Sequence, residues 1–298
     1  METGVSNQLK SLSIQPSVSL VDKSFSKEKA SQCHLSVAIG EQQFSYSVLD
    51  LKNSRYLALE EFQFENQLGF NGISEKIKEI ISSSVMEDCS FKSISASIIH
   101  LKATLVPAPL FEESKKADYL RFNFQDSEEE NTAHDYLQNL DAYNIYALPQ
   151  QANDALKQFF PNVKMLHYSS VLIESAIIPP WRDEKTKKVY LHLRDAQLEI
   201  IVTEDKKLIF YNSFHFESKE DIAYYLLFVC EQLGLNPHEI SVTVTGKIRK
   251  TEEKFIFLET YVKSIVLSSR PQQFGYSYVF DETPGHFYHA LFTQYLLN

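Results

Sequence analysis

The residues best suited to chemistry are few and scattered. His286 and His289, in "HFYH", stand three apart, a spacing that puts two imidazoles on one helix face, where they could share a metal ion. No further ligand lies nearby in the chain, and packing beside Phe287 and Phe292 is the simpler role. His192 and His215 fall in strand-like runs and are expected as hydrogen-bonded sheet residues rather than catalytic bases. The acidic run "SEEEN", Ser127–Asn131, could hold a cation, yet Ser127 and Glu130 also fit an S-x-x-E capping box, and acids suit a helix N-terminus. Cys33, Cys89 and Cys230 are too few and too far apart for a zinc site or a disulfide framework. No G-x-S-x-G, H-E-x-x-H, Walker loop or dinucleotide fingerprint occurs. Neither a metal site nor a catalytic residue is expected.

Composition narrows the field further. The chain has 298 residues, 44% hydrophobic and 23% charged, which is ordinary for a globular protein with a sizeable core. Its net charge of −10 argues against nucleic acid or an anionic membrane as an obligate partner, since both need a cationic face. The one dense basic patch, Lys185, Lys187 and Lys188, reads as a solvated turn entering a strand. There are eight glycines, none adjacent to another, where average usage would give about twenty, so glycine-lined phosphate loops are scarce. Met1–Ala30 is polar and has no apolar run, and no later segment reaches the roughly 18 apolar residues of a membrane span. The expected location is the cytoplasm.

The elements that must position these residues follow from periodicity. After a flexible lead, residues 1–30, three strands are expected at His34–Ile39, Phe44–Leu49 and Tyr56–Phe64. Ile73, Ile77, Ile80 and Ile81 share one stripe of a helix, and Ile94–Ile99 returns to strand character. Pro107 and Pro109 break "TLVPAPLF" before a helix at Leu110–Leu120. Strand Asn144–Leu148, helix Gln150–Phe160, strand Val163–Tyr168 and helix Ser169–Ile178 complete the first half, residues 31–178. "PPWRDEKTKK", Pro179–Lys188, reads as a linker into the second half, residues 179–298. That half holds three more short strands over Val189–Phe216, helix Lys219–Gly234 with Gly234 as its cap, and strand Ile240–Thr245. Helix Thr251–Glu259, strand Tyr261–Leu267 and helix Gly285–Leu297 close the chain.

The two halves repeat one order: three meandering strands, a helix and a further strand. His34–Gly40 matches Val189–Asp195, Phe44–Asp50 matches Leu198–Glu204, and Tyr56–Phe64 matches Leu208–Phe216, with a spacing that drifts by only three residues. A crossover helix after a meander places the fourth strand parallel to the first, giving a mixed sheet with helices on its faces. The expected class is α/β, two tandem ribonuclease H-like subdomains. This order resembles the duplicated fold of the actin and sugar-kinase superfamily, with pilus-assembly actin-like proteins a nearer likeness. "TLVPAPLF" at Thr104–Phe111, the two meanders and the ending "PGHFYHALFTQYLLN" are similar to those of a bacterial family of unknown function with an actin-like ATPase fold. The likeness spans Gln32–Asn298 and includes no catalytic motif.

The resemblance implies where a nucleotide would sit. Actin-like ATPases hold phosphate in the turn between the first two strands of each half, as Asp-x-Gly followed by Ser or Thr. The Asp serves magnesium and the Gly admits backbone N–H groups to the phosphate. The first turn here reads Ala38-Ile39-Gly40-Glu41: the glycine remains, but Glu41 adds a negative charge that would repel a triphosphate by about 1–4 kcal/mol. The second, His192–Gln197, keeps Asp195 without a glycine. The adenosine segment "TVTGKIRK" offers Gly246 and Lys247 where paired glycines are usual; Gly246 also reads simply as the end of a strand. A ribonuclease H-type nuclease would need converging carboxylates, and "HLSVAIG" supplies none. The expectation is a non-catalytic, actin-like scaffold or protein-interaction module, monomeric or homodimeric, with no ATPase activity and no cofactor. Its alternative is a switch holding ATP with Mg through Gly40, Glu41, Asp195, Gly246 and Lys247.

Overall fold

The computed structural model of the chain describes residues 14–64, 69–70, 72–124, 131–177, 187–194 and 196–298. The expected capping box at Ser127–Glu130 and most of the 179–188 linker lie outside them. In chain order the first half comprises β1 (Val18–Val21), α1 (Lys27–Ala30), β2 (Cys33–Ile39), β3 (Gln43–Asp50), β4 (Arg55–Gln63), α2 (Ile73–Ser83), β5 (Ser93–Ile98) and β6 (Ala103–Pro107). It continues with α3 (Lys116–Asn123), β7 (Thr132–Leu137), β8 (Ala142–Ala147), α4 (Gln150–Phe159), β9 (Lys164–His167) and α5 (Tyr168–Ile177). The second half comprises β10 (Lys188–Arg194), β11 (Gln197–Glu204), β12 (Lys207–His215), α6 (Lys219–Gln232), β13 (Ser241–Gly246), α7 (Glu253–Glu259), β14 (Ser264–Leu267), β15 (Gly275–Tyr276) and α8 (His289–Thr293).

The duplication is visible in the sheets. One half runs β4-β3-β2-β5-β9 and the other β12-β11-β10-β13-β14, each with an antiparallel meander and parallel strands beyond it. Even an irregularity recurs. The β3/β4 register shifts after Val48 and the β11/β12 register shifts after Val202, positions equivalent by the sequence alignment of the halves. Helix α6 shows how local sequence fixes an element. Ser218 and Asp221 form a reciprocal capping box, and Gly234, at φ +62°, ends the helix with its amide on the Glu231 carbonyl and that of Leu235 on Cys230.

Three cores result. Ile73, Ile77 and Ile80 of α2 with Ala152 and Leu156 of α4 cover one face of the first sheet, and α6 and α7 cover the outer face of the second. The third core is the seam between the halves, where α5, buried along all ten residues, packs with Phe280, Leu291 and Phe292. Its polar side chains find partners there: Glu174 accepts from Asn139 Nδ2 at 2.5 Å, and Ser170 from Asn144 Nδ2 at 2.8 Å.

Four expectations are corrected. Val18–Val21 is no flexible lead: it forms β1, paired antiparallel with β4, and α1 follows with the Ser26 hydroxyl as its N-cap. The helix expected at Leu110–Leu120 is two 3-10 turns, Ala108–Leu110 and Glu113–Lys115, then α3, because the prolines delay regular α-helix. Strands β6 and β7, unforeseen in the sequence, flank β8 in a separate three-stranded sheet; Pro107 is tolerated as the last residue of β6. The terminal helix is shorter than expected, α8 giving way to a 3-10 turn at Gln294–Leu297. The end of the chain also returns to the first half: β15 pairs with β4, and the Tyr56 hydroxyl donates to the Phe292 carbonyl at 2.6 Å.

Candidate functional site

The cleft between the halves is built from the ends of β2, β4, β10 and β13. In the first turn the Gly40 amide donates to the Gln43 carbonyl at 2.9 Å, so the hairpin consumes the N–H a phosphate would need. Its φ is ordinary; the missing Cβ matters because it would lie 3.3 Å from Ile99 Cβ, so Gly40 admits the chain leaving β5. Glu41 is exposed on the turn.

Asp195, in the second turn, lies outside the described residues. Before it, Arg194 pairs with the buried carboxylate of Glu199, donates to Gln197 Oε1 at 2.8 Å and stacks 4.6 Å above the Tyr168 ring. Burial works against its charge, but Glu199 outweighs it and holds Arg194 above its ordinary pKa. Next to it His192 bridges Thr245 Oγ1 (2.9 Å) and Tyr168 Oη (3.1 Å), the hydrogen-bonded sheet role expected for it; burial drives its pKa well down and keeps it neutral. His215, at the end of β12, is exposed.

Gly246 is required where it stands. Its φ is +92°, and a Cβ would fall 2.0 Å from the Leu193 carbonyl oxygen. Its amide donates to the His286 carbonyl at 2.8 Å, and that of Lys247 to Leu193 at 3.1 Å, so neither faces the cleft free. The Lys247 ammonium crosses the cleft and pairs with Glu61 on β4. Glu61 also accepts from Tyr288 Oη at 2.9 Å and Gln63 Nε2 at 2.7 Å. Burial first, then Glu61, raises the Tyr288 pKa, keeping its proton on the phenol. The central cavity left among Ala38, Glu61, Tyr168, Arg194, Gly246 and Lys247 is about 40 Å³, the scale of a water molecule rather than of the roughly 300–1,000 Å³ of a ligand pocket. Outside it, a groove of about 330 Å³ runs between the turns, past Gly40, Gln43, His100, Arg194, Gln197 and His215.

The structure therefore brings Gly246 and Lys247 to the cleft, places Gly40 and Glu41 on its outer groove, and fills the middle with two ion pairs. Glu61, Glu199, Arg194, Tyr168 and Tyr288 were not singled out in the sequence. One signal was present: "LEEF" sets two acids into an apolar strand, and both Glu60 and Glu61 are buried. The two histidines of "HFYH" serve separate places. His286 Nε2 contacts the Ile248 carbonyl at 2.7 Å, and His289 lines a cavity in the seam. Among the described residues no three His, Cys, Asp or Glu side chains group as metal ligands, and no helix is long and apolar enough to cross a membrane.

Comparison with known proteins agrees with this architecture. The chain belongs to the family described as "Protein of unknown function (DUF3822)", whose profile matches residues 22–265. Among solved structures it is similar to a Bacteroides thetaiotaomicron protein with actin-like ATPase fold and unknown function, at 24% identity and TM-score 0.72, covering 82% of this chain and 93% of that one. It is also similar to a chain of a PilM–PilN type IV pilus biogenesis complex, at 11% identity and TM-score 0.57, covering 89% and 98%. None of the curated proteins matches. The fold is that of the actin-like ATPases.

Proposed function

We propose that this chain is a non-catalytic, cytoplasmic actin-like scaffold that docks another protein. The observation that carries the reading is the Lys247–Glu61 pair, set beside Arg194–Glu199 where the halves of an actin-like fold would close on phosphate. A nucleotide entering there would have to displace Lys247 and strand Glu61, only 2% exposed, without its cation, at a cost of about 3 kcal/mol or less because Lys247 is a third exposed. The groove between the turns favours the alternative, ATP with Mg held by Gly40, Glu41, Asp195, Gly246 and Lys247, only at Gly40 and Glu41, because Gly246 and Lys247 line the central cavity instead.

A docking surface is offered by the second half. No described strand pairs with the outer edge of β12, and beside it Tyr224 and Phe228 of α6 are exposed, stacked 6.2 Å apart, while Tyr225 stacks on Phe214 of β12 at 4.4 Å. Exposed aromatic anchors beside an unpaired edge are features of interfaces. The test is affinity purification from the native host with the wild type and with Ile209→Lys/Tyr224→Ser. A partner held in stoichiometric amount by the first and lost by the second is expected; recovery of the bare monomer from both would overturn the reading.

A further inference from the structure

A second, half-open cavity in the seam lies on the other side of His192 from the ion pairs. It measures about 220 Å³ and is bounded by the C-terminal half of α5, the inner face of β10, β11 and β13, the Ser268–Gln273 loop after β14, and α8. Interiors close-pack, and voids much larger than a water are few. An apolar cavity of about 150 Å³ already admits benzene. The wall is apolar at Leu172, Ala176, Ile201 and Leu296. Beside Leu172, α5 brings Ser175 and Ala176 to it, and β13 brings Thr243 and Thr245.

Among the polar groups of this lining, two nitrogens stand out. Arg270 Nε and His289 Nδ1 are buried without a hydrogen-bond partner, and both residues line the cavity. Arg270 forms no ion pair with a described residue: its Nη2 donates to the Phe280 and Thr283 carbonyls and its guanidinium sits 5.3 Å over the Tyr276 ring. A cation with one N–H unused, beside an imidazole with one nitrogen unused, calls for an acceptor carrying negative charge. Arg270 and the Ser268–Gln272 segment also line a wider depression open to solvent, which supplies an approach; Asp281 lies in that depression and not in the cavity.

We propose that the seam cavity is a binding site for a small apolar monocarboxylate, a single ring or a chain of comparable size. Its carboxylate accepts from Arg270 and His289, and its hydrocarbon part fills the space against Leu172, Ala176, Ile201 and Leu296. Because α5 comes from the first half and β10, β11 and β13 from the second, the ligand touches both and stiffens the seam between them.

The test is titration of the full chain with benzoate, benzyl alcohol and toluene, followed by calorimetry and saturation-transfer NMR. Benzoate is expected to bind saturably and at least tenfold more tightly than benzyl alcohol. Ala176→Phe, which fills the cavity, is expected to abolish binding of all three while the melting temperature holds. His289→Leu leaves the backbone contacts of Arg270 in place and is expected to weaken benzoate several-fold and toluene not at all; Arg270→Gln is expected to do so by tenfold or more. Equal affinity for benzoate and toluene would overturn the carboxylate assignment. So would benzoate binding that survives Ala176→Phe, and no saturable binding of any probe would overturn the site itself.

Discussion

The two halves share a strand order and a bulge, yet their outer strands meet opposite fates. The edge of β4 is sealed twice, by β1 along Ala58–Glu61 and by β15 at Arg55 and Tyr56, two strands far apart in the sequence. Its equivalent, β12, keeps its outer edge unpaired among the described residues, with Ile209 exposed at 39%. Tyr56 is wholly buried, ringed by Phe274, Tyr276 and Phe292 at 4.7–5.6 Å, whereas Leu208, its counterpart, is only partly buried. One outer strand is covered by the chain itself and the other, among the described residues, is left open. An unpaired edge is a liability unless something uses or guards it, and this one carries a lysine at its start and half-buried aromatics along its length.

The largest effect expected from this asymmetry is at those equivalent positions. Tyr56→Ala should cost about 3–5 kcal/mol, as truncation of a fully buried aromatic does, and Leu208→Ala about 1–2 kcal/mol, read from urea unfolding midpoints. Equal losses would break the contrast between the covered strand and the open one.

Next comes the pair that joins the halves. Lys247→Ala should cost about 3 kcal/mol or less, the low end for breaking a buried pair because Lys247 is a third exposed while Glu61 is not. Adding Glu61→Gln should recover most of the loss, and a double-mutant cycle reads the coupling. If Lys247→Ala is silent, the ion pair does not hold the seam.

A pH dependence should follow from buried neutral histidines in both halves. Burial depresses His34 to about 4 and His289 to about 4, below their unfolded value near 6.5. The stability they contribute is complete above pH 6.5 and lost as pH falls toward 4, because the unfolded chain takes up protons the fold refuses. Asp135 runs the other way: burial pushes it up to about 6, so its contribution is whole below about pH 4 and fades as pH rises through 6. Melting temperatures should therefore fall between pH 6.5 and 4, less steeply in His34→Gln. A steeper fall in Asp135→Asn would confirm the opposing sign.

The smallest expected effect is on the open edge. Ile209→Lys should change stability by no more than about 0.5 kcal/mol, since the residue is 39% exposed on an edge that no described strand covers and the lysine stem can take its place. A loss of several kcal/mol would mean that β12 is covered after all.

What the sequence disclosed, and what it hid, divides along the range of the interaction. The meanders, α2, α4 and α6 were legible because period-two and period-3.6 patterns and Gly234 are all local signals. Strand β1 is only "VSLV", four residues in a polar stretch, and owes its form to the β4 edge some 40 residues away. The closure of the cleft was hidden for the same reason. Lys247 and Glu61 are 186 residues apart, and no spacing rule joins them. Gly246 was read both as a strand end and as a fragment of an anion cradle; its φ of +92° and the nearby Leu193 carbonyl give it a backbone task whatever binds.

All of this rests on protein charges occupying the place where a nucleotide's phosphates would lie. Calorimetric titration of the wild-type chain with Mg·ATP to millimolar concentration, with melting temperatures read on the same samples, tests that most directly. Heats of dilution alone and an unmoved melting temperature are the expected result; a saturable isotherm with stabilisation that grows with ligand would contradict it.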